Sequence, residues 1–419
     1  MICASILLGL LLADALAGAS AVRFEDLPSE ALAFLPGIGS AVEFELFRRQ
    51  LVRDLNDRLS SGEQDALVYY VLQGRRFTRT PSVEPVLGAR DFVKSGDIPA
   101  VVRTRIRDFV QACQATGLRD ERLSYFCRLS QDEGRIGGEF RRAMRFLYEK
   151  EVKSLEREGS DRRDFVASLY RTRGLSSDSA MDANFPVYLA LKRLAADRKL
   201  RLNRILIVGP GLDFAPRTGL DDSLPPQSLQ PYAIADAVLQ LGLSSREHLR
   251  IHCVDINPHV VERLRAAQSE PPALSVRKRE GPEEYSRYHE EFGRAIGTVD
   301  RPDPVSRIIR VSAAVARRIT ADRLDVVTER DESAPGYDLA VATNVLLYLG
   351  DAELALALSN LRSMLRGGGY FLHNESRGSV EAIGRAVNLP VIDARLIRLL
   401  ENDRRAIYDT QVVHRRSLD

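Results

Sequence analysis

The sequence predicts two regions: a mainly helical one to about residue 200, then an α/β domain whose mostly parallel sheet ends in an antiparallel hairpin. Three observations carry this reading. Apolar residues recur at helical spacing before Leu200, short apolar runs alternate with helical patterns after Arg204, and the last stretch holds two strand-like runs around a turn.

With 419 residues and 44% hydrophobic content, the chain is long enough for two domains and a substantial core. Lys and Arg total 60 against 58 Asp and Glu, so no global basic field exists to hold a nucleic acid.

The first element is "MICASILLGLLLADALAGASAVRF". Its apolar run from Ile2 to Leu12 and its small residues Ala19, Ser20 and Ala21 look like a secretory leader with a cleavage site. The absence of Lys or Arg ahead of the run, and Asp14 breaking the apolar stretch just after it, argue the other way. Residues 1–21 are read as a signal-like segment or a membrane tether through residues 2–21, with a cytoplasmic location as the alternative.

Residues 22–200 read as the helical region. Phe47, Leu51, Leu55 and Leu59 recur every fourth position, and "AMRFLYEKEVKSLERE" mixes apolar and charged residues as an exposed helix does. The stretch "GRRFTRTPSVEPVLGARDF" reads as a loop. Cys113 falls on one helical face with Val102, Ile106 and Phe109, and the four cysteines, lacking C-x-x-C spacing, read as buried thiols with no metal site. Arg173, Ser176, Ser177 and Asp178, just before a helix start, are a candidate lid.

From residue 201 onward, "RILIV", "LRIHCV", "RLDVV", "YDLAVAT" and "GGYFLH" read as strands buried on both faces. "ARLIRLLENDRRAIYDTQVVHRR" reads as the closing hairpin, with its turn at Glu401, Asn402 and Asp403. The charged insertion from Val276 to Ile319 is a candidate substrate surface.

Two motifs point to a ligand. Gly209 and Gly211 follow the first strand, where a glycine turn lets backbone approach a ligand closely. Asp255 ends the second strand, where a carboxylate can accept both hydroxyls of a ribose; Asn257, ahead of Pro258, is the better cap for the next helix. Phe214 stands where a dinucleotide fingerprint needs Gly or Ala, so a nicotinamide-dependent oxidoreductase is disfavoured.

A glycine turn, a ribose acid and the polar "YDLAVATNVLLYL" at the fourth strand together resemble the class I S-adenosylmethionine-dependent methyltransferases, over roughly Arg204 to Arg416. "TNVLLYL" is similar to "RNVLIYF" of chemotaxis-receptor glutamate methyltransferases, with Thr343 in place of their arginine. The resemblance implies a Rossmann-like domain, S-adenosyl-L-methionine as cofactor, and an acceptor that is a small molecule or a protein. It implies cofactor contacts at Gly209, Gly211, Asp213, Asp255, Asn257 and Thr343, and catalytic roles for Asn344, Tyr348 and His373, the last as a base. Ile207 stands where the family usually has an acid, and Asp213 is offered as its replacement. The alternative is a non-catalytic sensor or scaffold that keeps the fold.

Overall fold

The computed structural model describes residues 19–418 apart from 116–118, 172, 176–178, 180, 215–221, 223, 278–280, 333–335 and 403–404. The leader-like residues 1–18 therefore lie outside the described residues. Ala19–Ala21, the small-residue end of that segment, is a strand paired antiparallel with Glu329–Asp331, and Val22 behind it is 2% exposed. No helix among the described residues is long and apolar enough to cross a membrane.

The chain forms two compact units, one of Met1–Gln50, Met181–Gly211 and Ser228–Asp419 and the other of Leu51–Ala180 with Leu212–Gln227. The division differs from the sequence reading at two places. The described residues up to Gln50 join the α/β unit, and those after the glycine turn, Leu212, Asp213, Phe214, Asp222 and 224–227, join the helical one.

The helical unit contains Gln64–Gln73, Pro85–Ser95, Ala100–Gln114, Glu121–Leu129, Glu133–Glu151 and Gly159–Arg171, together with the latter part of the helix Ala41–Ser61. The expected loop ends at Glu84, because Pro85 opens a helix whose first residue needs no amide hydrogen. Arg105 is fully buried and donates to the carbonyls of Val71, Gly74 and Thr80, which satisfies the loop's backbone from inside. Phe214 packs its ring on Tyr125 and Phe126, at 4.9 and 5.2 Å, so the residue too large for a nucleotide turn is part of this unit's core.

The cysteine reading is corrected here. Cys113 and Cys127 form a disulfide that joins Ala100–Gln114 to Glu121–Leu129, and Cys253 is the buried free thiol among the described residues. Helical periodicity placed Cys113 on an apolar face but was silent about a partner on the next helix.

The α/β unit has a seven-stranded sheet. Its strands are β1 (Arg204–Val208), β2 (Arg250–Asp255), β3 (Ile319–Arg323), β4 (Tyr337–Ala342), β5 (Leu365–His373), β6 (Val391–Asn402) and β7 (Arg405–Arg415). The order is β6-β7-β5-β4-β1-β2-β3, parallel from β5 to β3, with β7 antiparallel to both β5 and β6. This is the Rossmann-like sheet with a closing hairpin. Its crossover helices are α1 (Asn184–Leu194), leading into β1, then α2 (Gln230–Gln240), α3 (Pro258–Ser269), α4 (Asp351–Met364) and α5 (Gly378–Ala386). Ile205, Leu206 and Ile207 are all 0% exposed, and burying each such side chain contributes about 1.5–3 kcal/mol. Ile207, between Cys253 and Val341, is thus a core strand residue.

β3 begins four residues earlier than "RLDVV" suggested. It is a sheet edge whose alternating burial hides its apolar content. The charged insertion folds as a three-stranded antiparallel sheet, Ala273–Arg277, Ser306–Val311 and Gly297–Asp300 in spatial order, with the helix Glu283–Glu291 between.

A part-buried ion cluster is built on β2. His252 Nδ1 is 2.6 Å from Tyr337 Oη, which itself donates to Asp331 at 2.5 Å, and His252 Nε2 is 3.1 Å from Asp322. Since Tyr337 spends its proton on Asp331, both imidazole nitrogens donate and the ring is cationic. Burial pushes the His252 pKa down, but hydrogen bonds and attraction from Asp322 and Asp331 outweigh it and leave the pKa raised. A raised histidine stabilises fully below its unfolded value and loses that contribution as pH rises through its folded value. The stability gap between the parent and His252→Gln should therefore shrink as pH is raised from below about 6.5. Urea unfolding at a series of pH values measures it, and a gap that widens with pH contradicts a cationic His252.

Candidate functional site

The strand registers assemble the site. Val208 lies opposite Val254, Ile207 opposite Val341, and His373 opposite Ala342. Continued by one residue, the first and last of these pairings set Gly209 level with Asp255 and Thr343 level with Asn374; continued by two, the second sets Gly209 level with Thr343, which makes one row across the carboxyl edge of β1, β2, β4 and β5. The sheet winds away from β1 in both directions, so the crevice between β1 and β4 is its topological switch point, where open α/β sheets bind ligands.

Gly209 and Gly211 both adopt positive φ, 62° and 61°, the left-handed region that glycine enters without penalty. The Gly209 amide donates to Val254 O at 2.8 Å, and a Cβ on Gly209 would stand 2.6 Å from Val345 Cγ2. The missing side chain is what lets the β4 loop close on the turn.

Asp255 is 8% exposed, and its Oδ1 accepts the Asn257 amide at 2.8 Å. Asn257 caps α3, its Oδ1 accepting from the His259 amide at 3.0 Å. The cap expected at Asn257 is present, and Asp255 is oriented by the turn ahead of it.

Thr343 is buried, and Gln230 Nε2, at the head of α2, donates to its Oγ1 at 2.6 Å. Asn344 sits at φ 58°, unusual for a residue with a side chain. Its amide donates to Asn374 Oδ1 at 2.8 Å, and Asn374 Nδ2 donates back to Asn344 Oδ1 at 2.9 Å. Asn374 also reaches the Asp409 carboxylate on β7 at 3.3 Å. Tyr348 ends the short turn Leu346–Tyr348, which Arg377 fixes by donating to the carbonyls of Leu346 and Leu349, each at 2.8 Å.

His373 does not have the surroundings of a base. Its Nδ1 accepts the Glu375 amide at 3.1 Å, so its Nε2–H donates to His414 Nε2 at 2.7 Å, and His414 Nδ1–H donates to Leu389 O at 2.7 Å. Both nitrogens are engaged and the ring is 2% exposed. Burial, with repulsion from His414 and Arg377 beside it, holds the His373 pKa well below the ordinary histidine value. His373 is a neutral ring joining β5 to β7.

Asp213 belongs to the helical unit. There its amide donates to Gln227 O at 2.8 Å, and the buried Arg122 donates to its carbonyl at 3.0 Å. It is not among the residues that the strand registers align. Arg173 pairs with Asp65 and lies 4.4 Å over the Phe146 ring in the same unit, while Ser176, Ser177 and Asp178 of the candidate lid lie outside the described residues.

Sequence reasoning missed Gln230, Asn374, Asp409 and Arg377. Asn374 follows the fifth strand directly, so its position was a signal. The other three reach the site only through tertiary contacts.

No family model matches the sequence, and no curated protein matches it. Among solved structures, the fold is similar to N-methyltransferase NodS from Bradyrhizobium japonicum in complex with S-adenosyl-L-homocysteine, at 15% identity and a TM-score of 0.29, over 55% of this chain and 85% of that one. It is also similar to magnesium protoporphyrin IX methyltransferase (ChlM) from Synechocystis PCC 6803 with bound S-adenosylmethionine, at 10% identity and a TM-score of 0.31, over 66% of this chain and 97% of that one. A TehB-like S-adenosylmethionine-dependent methyltransferase from Corynebacterium glutamicum gives 13% identity and a TM-score of 0.29, over 54% and 87%. Strand order and register, rather than these distant likenesses, carry the fold.

Proposed function

We propose that the chain is an S-adenosylmethionine-dependent methyltransferase acting on an acceptor whose identity is open. One observation supports this most: Gly209, Asp255 and Thr343 fall in a single row at the switch point of a Rossmann-like sheet. The donor set suits S-adenosylmethionine. A turn with two left-handed glycines offers close backbone approach without a pyrophosphate-type helix start, and a strand-end carboxylate offers two acceptors to a ribose. When bound, the cofactor supplies a methyl group made electrophilic by its sulfonium.

The protein's part is to position the partners and exclude water. Asp255 holds the ribose, the glycine turn and Thr343 line the cofactor end, and Asn344 and Tyr348 face the acceptor. Because His373 is neutral and engaged, no proton is taken there, which favours an acceptor already nucleophilic at neutral pH. The methyl donor is a cytoplasmic metabolite, so the proposal places the catalytic half in contact with that pool. A mature chain starting at Val22 in an extracytoplasmic fraction contradicts that placement.

Methyl transfer from labelled cofactor into lysate identifies the acceptor class and separates an enzyme from a cofactor-binding scaffold. With an acceptor in hand, Asn344→Ala and Tyr348→Phe should each lower kcat by roughly tenfold or more while cofactor affinity changes less. Steady-state kinetics beside calorimetry measure the split. Equal losses in both remove these residues from the acceptor side.

A further inference from the structure

We propose that β6 is a homodimer edge: two copies of this chain join antiparallel through β6 about a two-fold axis at Ala394, giving one continuous sheet. β6 is the terminal strand of the seven-stranded sheet, and among the described residues no other strand pairs with its outer side. It is a long edge, Val391–Asn402, and it carries apolar side chains on its exposed face. Ile392 is 51% and Leu396 68% exposed, with Tyr408 of β7 at 46%. Soluble proteins usually blunt such edges by shortness, charge or cover, because open amide and carbonyl rows recruit other strands. This one is not short, and its exposed part runs from Ile392 to Leu396, while its Leu399 end is covered, with Gly281 against the Leu399 carbonyl.

The occupant and its register follow from the sequence of the strand. Directly opposed residues in an antiparallel pair share a face, so a symmetric β6 pair must turn about an axis through a residue. An axis at Asp393 sets Asp393 against its own copy, and an axis at Arg395 sets arginine against arginine. An axis at Leu396 leaves Asp393 opposite the buried Leu399 and Arg395 opposite Ile397. Only the axis at Ala394 places Asp393 opposite Arg395 twice. Opposite charges at such positions stabilise a sheet, and like charges directly opposed destabilise it.

The charges are already in place. Within one chain Asp393 lies 3.1 Å from Arg395 Nε and 3.2 Å from Arg193, and Arg395 is half exposed. Dimerisation turns this pair into a closed square of two acids and two bases. β6 keeps regular pairing with β7 from Asp393 to Arg398, between two register shifts, so Asp393, Ala394 and Arg395, the centre of the proposed pair, lie on the straight part of the strand.

Sedimentation velocity of the full chain tests the edge. The parent should sediment as a dimer, and Arg395→Asp, which opposes two acids, should weaken dimerisation by roughly tenfold or more. Asp393→Arg should do the same, and the double variant Asp393→Arg/Arg395→Asp, which swaps the charges, should restore the dimer. Circular dichroism checks that each variant is folded. Since Asp393 also holds Arg193, Arg395→Asp is the cleaner single change. A monomeric parent overturns the proposal, as does a dimer that ignores Arg395→Asp, or a folded double variant that stays monomeric.

Discussion

Gly209→Ala should destabilise the α/β unit by about 2–5 kcal/mol, combining about 1–2 for a side chain in the left-handed region with about 1–3 for overpacking. The first part comes from φ at 62° and the second from the 2.6 Å between the new Cβ and Val345 Cγ2. Affinity for S-adenosylmethionine should fall with it, because relieving the clash pushes the β4 loop away from the turn. A second substitution separates the two terms. Val345→Ala in the Gly209→Ala background removes the contact but not the φ penalty, so it should recover only the packing share. Urea unfolding measures all three variants, and a Gly209→Ala protein as stable as its parent contradicts the close approach of turn and loop.

Removing the Cys113–Cys127 disulfide should cost the helical unit about 3 kcal/mol, the loop-closure entropy expected for a ring of about 15 residues. The separation of the two cysteines is 14 residues. Hydrogen exchange on Cys113→Ser/Cys127→Ser reads this locally, since amides in Ala100–Gln114 and Glu121–Leu129 should lose roughly a hundredfold in protection. Cys253 does not interfere: burial pushes its thiol well above the ordinary range and away from solvent. Unchanged protection in both helices would mean that packing around Phe109 and Phe126, both at most 1% exposed, holds them without the bridge.

The core strands were legible because each carries a short, mostly buried apolar run, interrupted by His252 in β2 and by Asp338 in β4. That held for β1, β2, β4 and β5, and for the hairpin at the end. β3 was misplaced because an edge strand alternates, and the continuous run of "RLDVV" just after it was the louder signal. At the site, the glycines, Asp255 and Asn257 could be picked out because turn and cap chemistry is local. Their alignment in a row with Thr343 and Asn374 could not, since it depends on register between strands far apart in sequence. His373 failed as a base for the same reason: His414, which takes its Nε2 proton, lies on β7, and nothing in "GGYFLH" announces it. Asp213 was read as a cofactor contact, yet Arg122 draws its carbonyl, with those of Phe214 and Leu224, into the helical unit through contacts invisible to periodicity.

The central claim is that the row at the carboxyl edge of β1, β2 and β4 holds S-adenosylmethionine through Asp255. Isothermal titration calorimetry of S-adenosylmethionine into the parent and into Asp255→Asn tests it directly, because asparagine keeps an oxygen for the Asn257 amide while removing the charge. The parent should bind, and the variant should remain folded and lose roughly 1.5–3 kcal/mol of affinity, about tenfold or more. A parent that binds no S-adenosylmethionine, or an Asp255→Asn protein that binds it as tightly as the parent, would contradict the account.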